Sequence, residues 1–248
     1  TDACVVIAEA LSGIEAASAD RLTRRGIEIG LTNSTLKNAT GWPDPGHLMS
    51  VRDLSIVAQQ IISRFPQYYQ YYSQLEYNYN NINQHNRNPL LQAGIPGVDG
   101  MKTGYTREAG YGLVASAERQ GRRLILVVAG LDSIGQRRAE PDRLLEYGFR
   151  HYEEYRLFEP DAVVVQAPVW QGAEATVPLV AGDVVGITLT RQARESLEVK
   201  VVYDSPVPAP VTAGQVLGQI EMTAAGMPTR IMPLVAARDI PRAGVWGR

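Results

Sequence analysis

Val98-Asp-Gly-Met-Lys-Thr-Gly-Tyr105 is the stretch from which the rest of this chain can be read. Asp99-Gly100 and Gly104 are turn signals on either side of a Lys-Thr pair. Two apolar runs follow, Tyr111-Gly-Leu-Val-Ala-Ser-Ala117 and Arg123-Leu-Ile-Leu-Val-Val-Ala-Gly130. Such runs, bounded by glycine and polar turns, predict consecutive strands. Lys102-Thr103-Gly104 then lies on a strand hairpinned onto the edge of an apolar sheet. The triplet alone is a weak signal, because a polar turn entering a strand produces the same three residues.

Outward from this sheet, the first half of the chain reads as helical. Asp2 to Leu11 is almost wholly apolar and predicts a buried helix with Thr1 or Asp2 near its cap, stopped by Ser12-Gly13. Residues 15–29 form a second helix closed by Gly30, and Leu31 to Pro45 is dense in turn formers, predicting an ordered loop. Ser50-Val-Arg-Asp53 resembles a capping box with Asp in the Glu position. Behind it Leu54, Val57, Ala58, Ile61 and Ile62 keep the stripe of a core-facing helix. Residues 67–88 carry tyrosines at 68, 69, 71, 72, 77 and 79 among many Asn and Gln. A sugar-stacking surface, an aggregation-prone segment, and a helix end followed by a Leu75–Tyr79 strand all fit that composition. Arg137 to Tyr155 predicts a helix with Leu144, Leu145, Phe149 and Tyr152 on one side.

Around Leu157-Phe158-Glu159-Pro160 helical periodicity ends. Short Val-rich runs follow at 162–169, 175–180, 184–190, 196–203, 215–223 and 229–235, with Ser205 to Pro210 as a stiff loop. Runs at this spacing predict a small β-sandwich or barrel. The expected class is α+β: an antiparallel sheet with helices over 1–155, an all-β unit over 156–242, and a tail at 243–248.

The 248 residues suffice for one large or two smaller cores. A net charge of −2 supplies no basic patch, so nucleic acid is not expected as a partner. The one cysteine, Cys4, excludes an internal disulfide and a cysteine-rich zinc site, and His47, His85 and His151 show no ligand spacing. No metal or other cofactor is expected. No run reaches membrane-spanning length. The chain opens inside a helical pattern without an initiator Met and reads as a piece of a longer precursor.

Together these stretches resemble the D-alanyl-D-alanine carboxypeptidases, the low-molecular-mass penicillin-binding proteins. Lys102-Thr103-Gly104 is one of the three signatures of penicillin-binding serine enzymes, beside S-x-x-K and an S-x-N-type triplet. Leu31-Thr-Asn-Ser-Thr-Leu-Lys-Asn-Ala-Thr-Gly41, Arg52-Asp53-Leu54, Asn86-Arg87-Asn88 and Gly110-Tyr-Gly-Leu-Val-Ala-Ser-Ala117 are similar to family stretches in the same order. The β-rich tail resembles the family's second domain. Thr1 stands at the family's S-x-N asparagine, and the S-x-x-K helix with its nucleophilic serine falls upstream. Ser34-Thr-Leu-Lys37 satisfies S-x-x-K on paper, but it sits in a turn-rich loop instead of opening a buried helix.

The resemblance implies acyl transfer on the D-Ala-D-Ala end of a peptidoglycan stem peptide, blocked by β-lactams, outside the cytoplasmic membrane in the periplasm or cell envelope. It implies that Lys102, Thr103 and Gly104 bind the terminal D-Ala and its carboxylate, that Lys102 is also catalytic by shaping the proton shuttle of the S-x-N side, and that the backbone N–H of Tyr105 is an oxyanion donor. Arg137, with Arg87 as a weaker candidate, would pair with the carboxylate; a surface ion pair explains either arginine as well. The chain alone, lacking the nucleophile, is expected to be inert, and the family's C-terminal membrane helix is not seen in it. One alternative is a non-catalytic module that holds peptidoglycan or a partner, favoured by Thr1 at the asparagine position. A β-lactamase is a further alternative, but there the Lys-Thr-Gly strand lies near the chain end.

Overall fold

In the computed structural model, which describes residues 2–244, the chain divides into two compact units, Thr1–Phe149 and Arg150–Arg248. In the first unit the elements run α1 (Asp2–Ser12), α2 (Glu15–Glu28), α3 (Val51–Arg64), α4 (Pro66–Tyr69) and a 3₁₀ turn (Gln70–Ser73). The hairpin β1 (Glu76–Tyr79) and β2 (Ile82–His85) follows, then α5 (Pro89–Gln92), β3 (Val98–Thr106), β4 (Gly110–Arg119), β5 (Arg122–Leu131) and α6 (Ile134–His151).

The antiparallel sheet β3-β4-β5 organises this unit. Leu113, Ala115 and Ala117 of β4 project to one face, where they bury Leu90 of α5 and Leu145 of α6. Val114 projects to the other, among Ala58 and Ile61 of α3, Tyr69 and Met101. Packing on both faces explains why β4 and β5 read as continuous apolar runs without alternation. Truncating a fully buried leucine here, such as Leu113 at 1% exposure, costs about 2–5 kcal/mol.

Three local expectations are corrected. Residues 2–12 form the expected helix but not a buried one: only Ala8 is buried, while Val6, Ile7 and Leu11 are about two-thirds exposed. The physical reason is that α1 packs chiefly on α2, which covers one stripe of a helix that is apolar nearly all round. Residues 67–88 hold a hairpin where one strand was expected. Asn80 and Asn81 both take positive φ, 51° and 60°, the geometry of a two-residue hairpin turn. Finally, α6 ends at His151, and Tyr152–Phe158 is strand instead of helix. There Tyr152 to Tyr155 pair antiparallel with residues 187–190, and cross-strand pairing overrides the local helical pattern.

In the second unit β6 (Tyr152–Phe158) pairs with β9 (Val185–Thr190). The strands β7 (Val163–Trp170), β8 (Thr176–Val180), β10 (Glu198–Tyr203), β11 (Val207–Pro208), β12 (Val216–Thr223) and β13 (Arg230–Ala236) form a sheet of order β10-β12-β13-β8-β7-β11. Val177, Leu179, Ile187, Leu189, Ile220 and Leu234 from both sheets meet in one core, which makes the unit a small β-sandwich. Helix is confined, among the described residues, to the five-residue α7 (Arg191–Glu195), capped by the Thr190 hydroxyl. The stiff Ser205–Pro210 loop contributes β11, which lies parallel to Val169-Trp170.

Candidate active site

Strand β3 is the edge of its sheet, paired with β4 on one side and with no strand on the other among the described residues. Lys102, Thr103, Gly104 and Tyr105 pair with Val114, Leu113, Gly112 and Tyr111. A Cβ added to Gly104 would meet nothing within 4 Å, so the strand is open there to a ligand backbone. Thr103 is buried at 8% exposure.

Lys102 is exposed, and its Nζ donates to the Thr103 carbonyl at 2.6 Å. Partial desolvation of the ammonium, then the positive charges of Arg87 and Arg137, hold its pKa below the usual 10.5. Arg137 stacks its guanidinium over Tyr111 at 5.2 Å and reaches toward the Gly104 carbonyl at 3.5 Å. Its buried Nε has no hydrogen-bond partner. Tyr111 in turn packs against Tyr105, ring centroids 4.3 Å apart. Among the described residues no carboxylate lies within ion-pair distance of Lys102, Arg87 or Arg137, although the chain forms ion pairs elsewhere. The structure thus brings together three mutually repelling cations at one open strand edge. Such a cluster lacks only an anion.

Two polar networks hold this edge in place, and sequence reasoning assigned neither. At the head of β3, Tyr69 Oη donates to Asp99 at 2.6 Å, and Arg123 pairs with the other carboxylate oxygen at 2.7 Å while also donating to Ser116. Burial, then the Asp99 hydrogen bond, pushes the Tyr69 phenol far above its usual range. Asn88, fully buried, donates from Nδ2 to the Gly100 carbonyl at 2.9 Å and accepts the Leu90 N–H at 3.0 Å as the cap of α5. The Asn-Pro pair at 88–89 is the signal that could have exposed this cap.

Ser34 lies elsewhere in use. It opens no helix; its hydroxyl donates to Asp53 at 2.6 Å, and the next residue, Thr35, bridges to Leu48. The Ser50 hydroxyl caps α3 by accepting the Asp53 N–H. The carboxylate of Asp53 does not accept the Ser50 N–H, as a capping box would have it, because that N–H goes to Ser34 Oγ; instead it gathers Thr32 N, Asn33 N and Ser34 Oγ. These bonds, led by that from Ser34, hold its pKa below 3.8 against the opposing effect of burial. Thr1, and residues 245–248 of the expected tail, lie outside the described residues.

The family model described as D-alanyl-D-alanine carboxypeptidase matches residues 1–133. The chain belongs to the D-alanyl-D-alanine carboxypeptidase family. A second model, described as the C-terminal domain of penicillin-binding protein 5, matches residues 152–242. D-alanyl-D-alanine carboxypeptidase DacC of Escherichia coli is 34% identical over all of this chain and 62% of its own length. DacF of Bacillus subtilis is 32% identical, over 98% of this chain and 64% of its own. The chain therefore spans somewhat less than two-thirds of the curated carboxypeptidases it matches. Penicillin binding protein 5 from Haemophilus influenzae superposes with a TM-score of 0.88 at 32% identity, covering 97% of this chain and 71% of that one. Penicillin-binding protein D2 from Listeria monocytogenes, solved in an ampicillin-bound form, gives 0.56 at 28% identity over 60% of this chain and 62% of its own. The α+β first unit and the β-sandwich are those of the penicillin-binding protein 5 fold.

Proposed function

We propose that the protein to which this chain belongs is a serine carboxypeptidase that releases the terminal D-Ala from peptidoglycan stem peptides. In this reading residues 2–244 supply its carboxylate-binding and oxyanion side. The observation that carries the proposal is the trio Lys102, Arg87 and Arg137, gathered without a carboxylate at the open edge of β3. The substrate's terminal carboxylate is the missing anion, and the Thr103 hydroxyl adds a hydrogen bond to it. Gly104 leaves room for the peptide backbone, and the Tyr105 N–H receives the charge that develops on the scissile carbonyl oxygen. One such donor lowers the barrier by about 3 kcal/mol.

The reaction is acyl transfer. A serine hydroxyl adds to the carbonyl carbon, the C–N bond to the terminal D-Ala breaks with a proton delivered to its nitrogen, and water then cleaves the ester. A β-lactam follows the first step and stops as the ester. The attacking serine is not Ser34, whose proton is already given to Asp53, and no other serine in this chain takes an S-x-x-K position; this chain alone is then inert. The site faces the cell wall, outside the cytoplasmic membrane, and the β-sandwich serves as a spacer. Among the described residues no helix is long and apolar enough to cross a membrane.

The test is D-Ala release from a peptide ending in D-Ala-D-Ala by the whole protein. Lys102→Ala should abolish turnover and slow acylation by penicillin. Near-normal release from that variant would show the Lys-Thr-Gly edge to be incidental. Intact-mass analysis of the 248-residue chain with penicillin should show no adduct; an adduct on Ser34 would overturn the assignment. Absence of release by the whole protein, with stem-peptide binding retained, would make it a binding module instead.

A further inference from the structure

Residues 67–86 hold half of the chain's 12 tyrosines, nine Asn and Gln, and no Lys or Arg. The site described above uses from this stretch only Tyr69. After α4 and the 3₁₀ turn it forms the β1–β2 hairpin, all eight strand residues of which are exposed. Its register places Tyr77 opposite Gln84 and Tyr79 opposite Ile82, so these four share one face. That face presents aromatic surface to solvent, with Tyr77 at 59% and Tyr79 at 67% exposure. Beside it lies a pocket of about 200 Å³ lined by Tyr71, Gln74, Glu76, Tyr77, Gln84, His85 and Asn86.

The polar groups of this pocket fall into two sets. Glu76 is engaged by His85 at 3.1 Å and Asn83 at 3.1 Å, and the Asn86 amide is spent on the Tyr72 and Gln74 carbonyls. Among the described residues, the side-chain amides of Gln74 and Gln84 and the hydroxyls of Tyr71 and Tyr77 have no hydrogen-bond partner. The pocket thus offers aromatic faces and open planar amides, with its one acid already paired. Lacking Lys and Arg, it suits neither phosphate nor nucleic acid. Its ring faces are electron-rich and flat. They match the C–H face of a pyranose, while the amides match its hydroxyl and acetamide groups.

We infer that this pocket is a saccharide subsite for the β-1,4-linked N-acetylhexosamine strand that carries the stem peptide. The inference rests on the proposed peptidoglycan substrate and deepens it. Continuity supports this occupant: Asn86 lines the pocket and Arg87, the next residue, belongs to the cation trio. The 3₁₀ turn Gln70–Ser73, which carries the Tyr71 of the pocket, also packs against β3.

The experiment titrates the full chain with a linear tetramer of β-1,4-linked N-acetylglucosamine, which carries no peptide, and follows tyrosine ring signals by NMR. Saturable shifts are expected at Tyr71 and Tyr77. The Tyr77→Ala/Gln84→Ala variant should bind about tenfold more weakly, the loss of one stacked ring and its amide. Tyr77→Phe and Lys102→Ala should bind like the parent. Should the double variant not fold, Gln84→Ala alone carries the same expectation in smaller degree. No saturable shift at about 10 mM sugar, far weaker than any useful subsite, overturns the inference, as does binding that ignores both substitutions. Self-association of the chain through the hairpin, abolished by Tyr77→Ala and without sugar shifts, assigns the face to a second copy and likewise overturns it. Normal D-Ala release by the whole protein without sugar binding removes only this subsite. Sugar binding without D-Ala release by the whole protein removes only the carboxypeptidase reading.

Discussion

Replacing Asn88 by Ala should loosen the whole Lys-Thr-Gly edge, though Asn88 is neither charged nor at the surface. Its side chain makes two bonds in a fully buried position: Nδ2 to the Gly100 carbonyl, and Oδ1 from the Leu90 N–H. Loss of the cap on α5 costs about 1 kcal/mol. Leaving the buried Gly100 carbonyl without this donor costs about 1–3 kcal/mol more. The sum, about 3 kcal/mol, is roughly a 150-fold change in an opening equilibrium. A single melting curve would blur it, because two units do not unfold as one. Hydrogen exchange resolved by segment is the suitable assay, with β3 and β4 as reporters and β12 and β13 as internal reference. Exchange across 98–119 should accelerate by about two orders of magnitude, while 216–236 is unchanged. Asn88→Asp should fare no better, since it keeps the cap acceptor but turns a carboxylate toward the Gly100 carbonyl. Acceleration of less than about fivefold, or 1 kcal/mol, would refute the reasoning.

Three further outcomes are expected. Gly100→Ala places a Cβ 2.7 Å from the Tyr69 hydroxyl, which its bond to Asp99 holds in place. It should cost about 1–3 kcal/mol, and Tyr69→Phe in the same chain should return part of that loss; strictly additive effects in denaturant unfolding would contradict the clash. Asp53 has a folded pKa below the 3.8 of an ordinary carboxyl, so its contribution to stability is present above 3.8 and lost as pH falls through the folded value. Asp53→Asn should therefore destabilise the chain at neutral pH and flatten the acid limb of its denaturation midpoint; an unchanged acid limb would remove Asp53 as its source. Lys102, with a pKa held below 10.5, carries its charge at low pH and loses it early on the alkaline side. Binding of N-acetyl-D-alanine, measured by calorimetry, should fall with a midpoint below 10.5, and Lys102→Arg should move that fall upward. A midpoint at or above 10.5 would mean the ammonium is fully solvated.

The strands of this protein, and the triplet on their edge, were legible in the sequence because their signals are local. Glycine-bounded apolar runs announce β4 and β5, and short Val-rich runs at regular spacing announce the sandwich. The helical stripe of α3 was legible for the same reason, and so was the unsuitability of Ser34 as the opener of a helix. What each element packs against was not legible. The apolar pattern of α1 is that of a buried helix, yet burial depends on which surface arrives to cover it, and here α2 covers only one stripe. Tyr152 to Tyr155 continue a helical pattern but become strand because β9 lies alongside. The site divides in the same way. Lys102, Thr103, Gly104 and Tyr105 are neighbours in the chain, and a motif can name them. The convergence of Arg87 and Arg137 on Lys102, the clamp of Tyr69, Asp99 and Arg123, and the bond from Asn88 to Gly100 join residues 12 to 54 positions apart. Charge repulsion and hydrogen bonding act through space, so only the tertiary structure decides which of these groups meet.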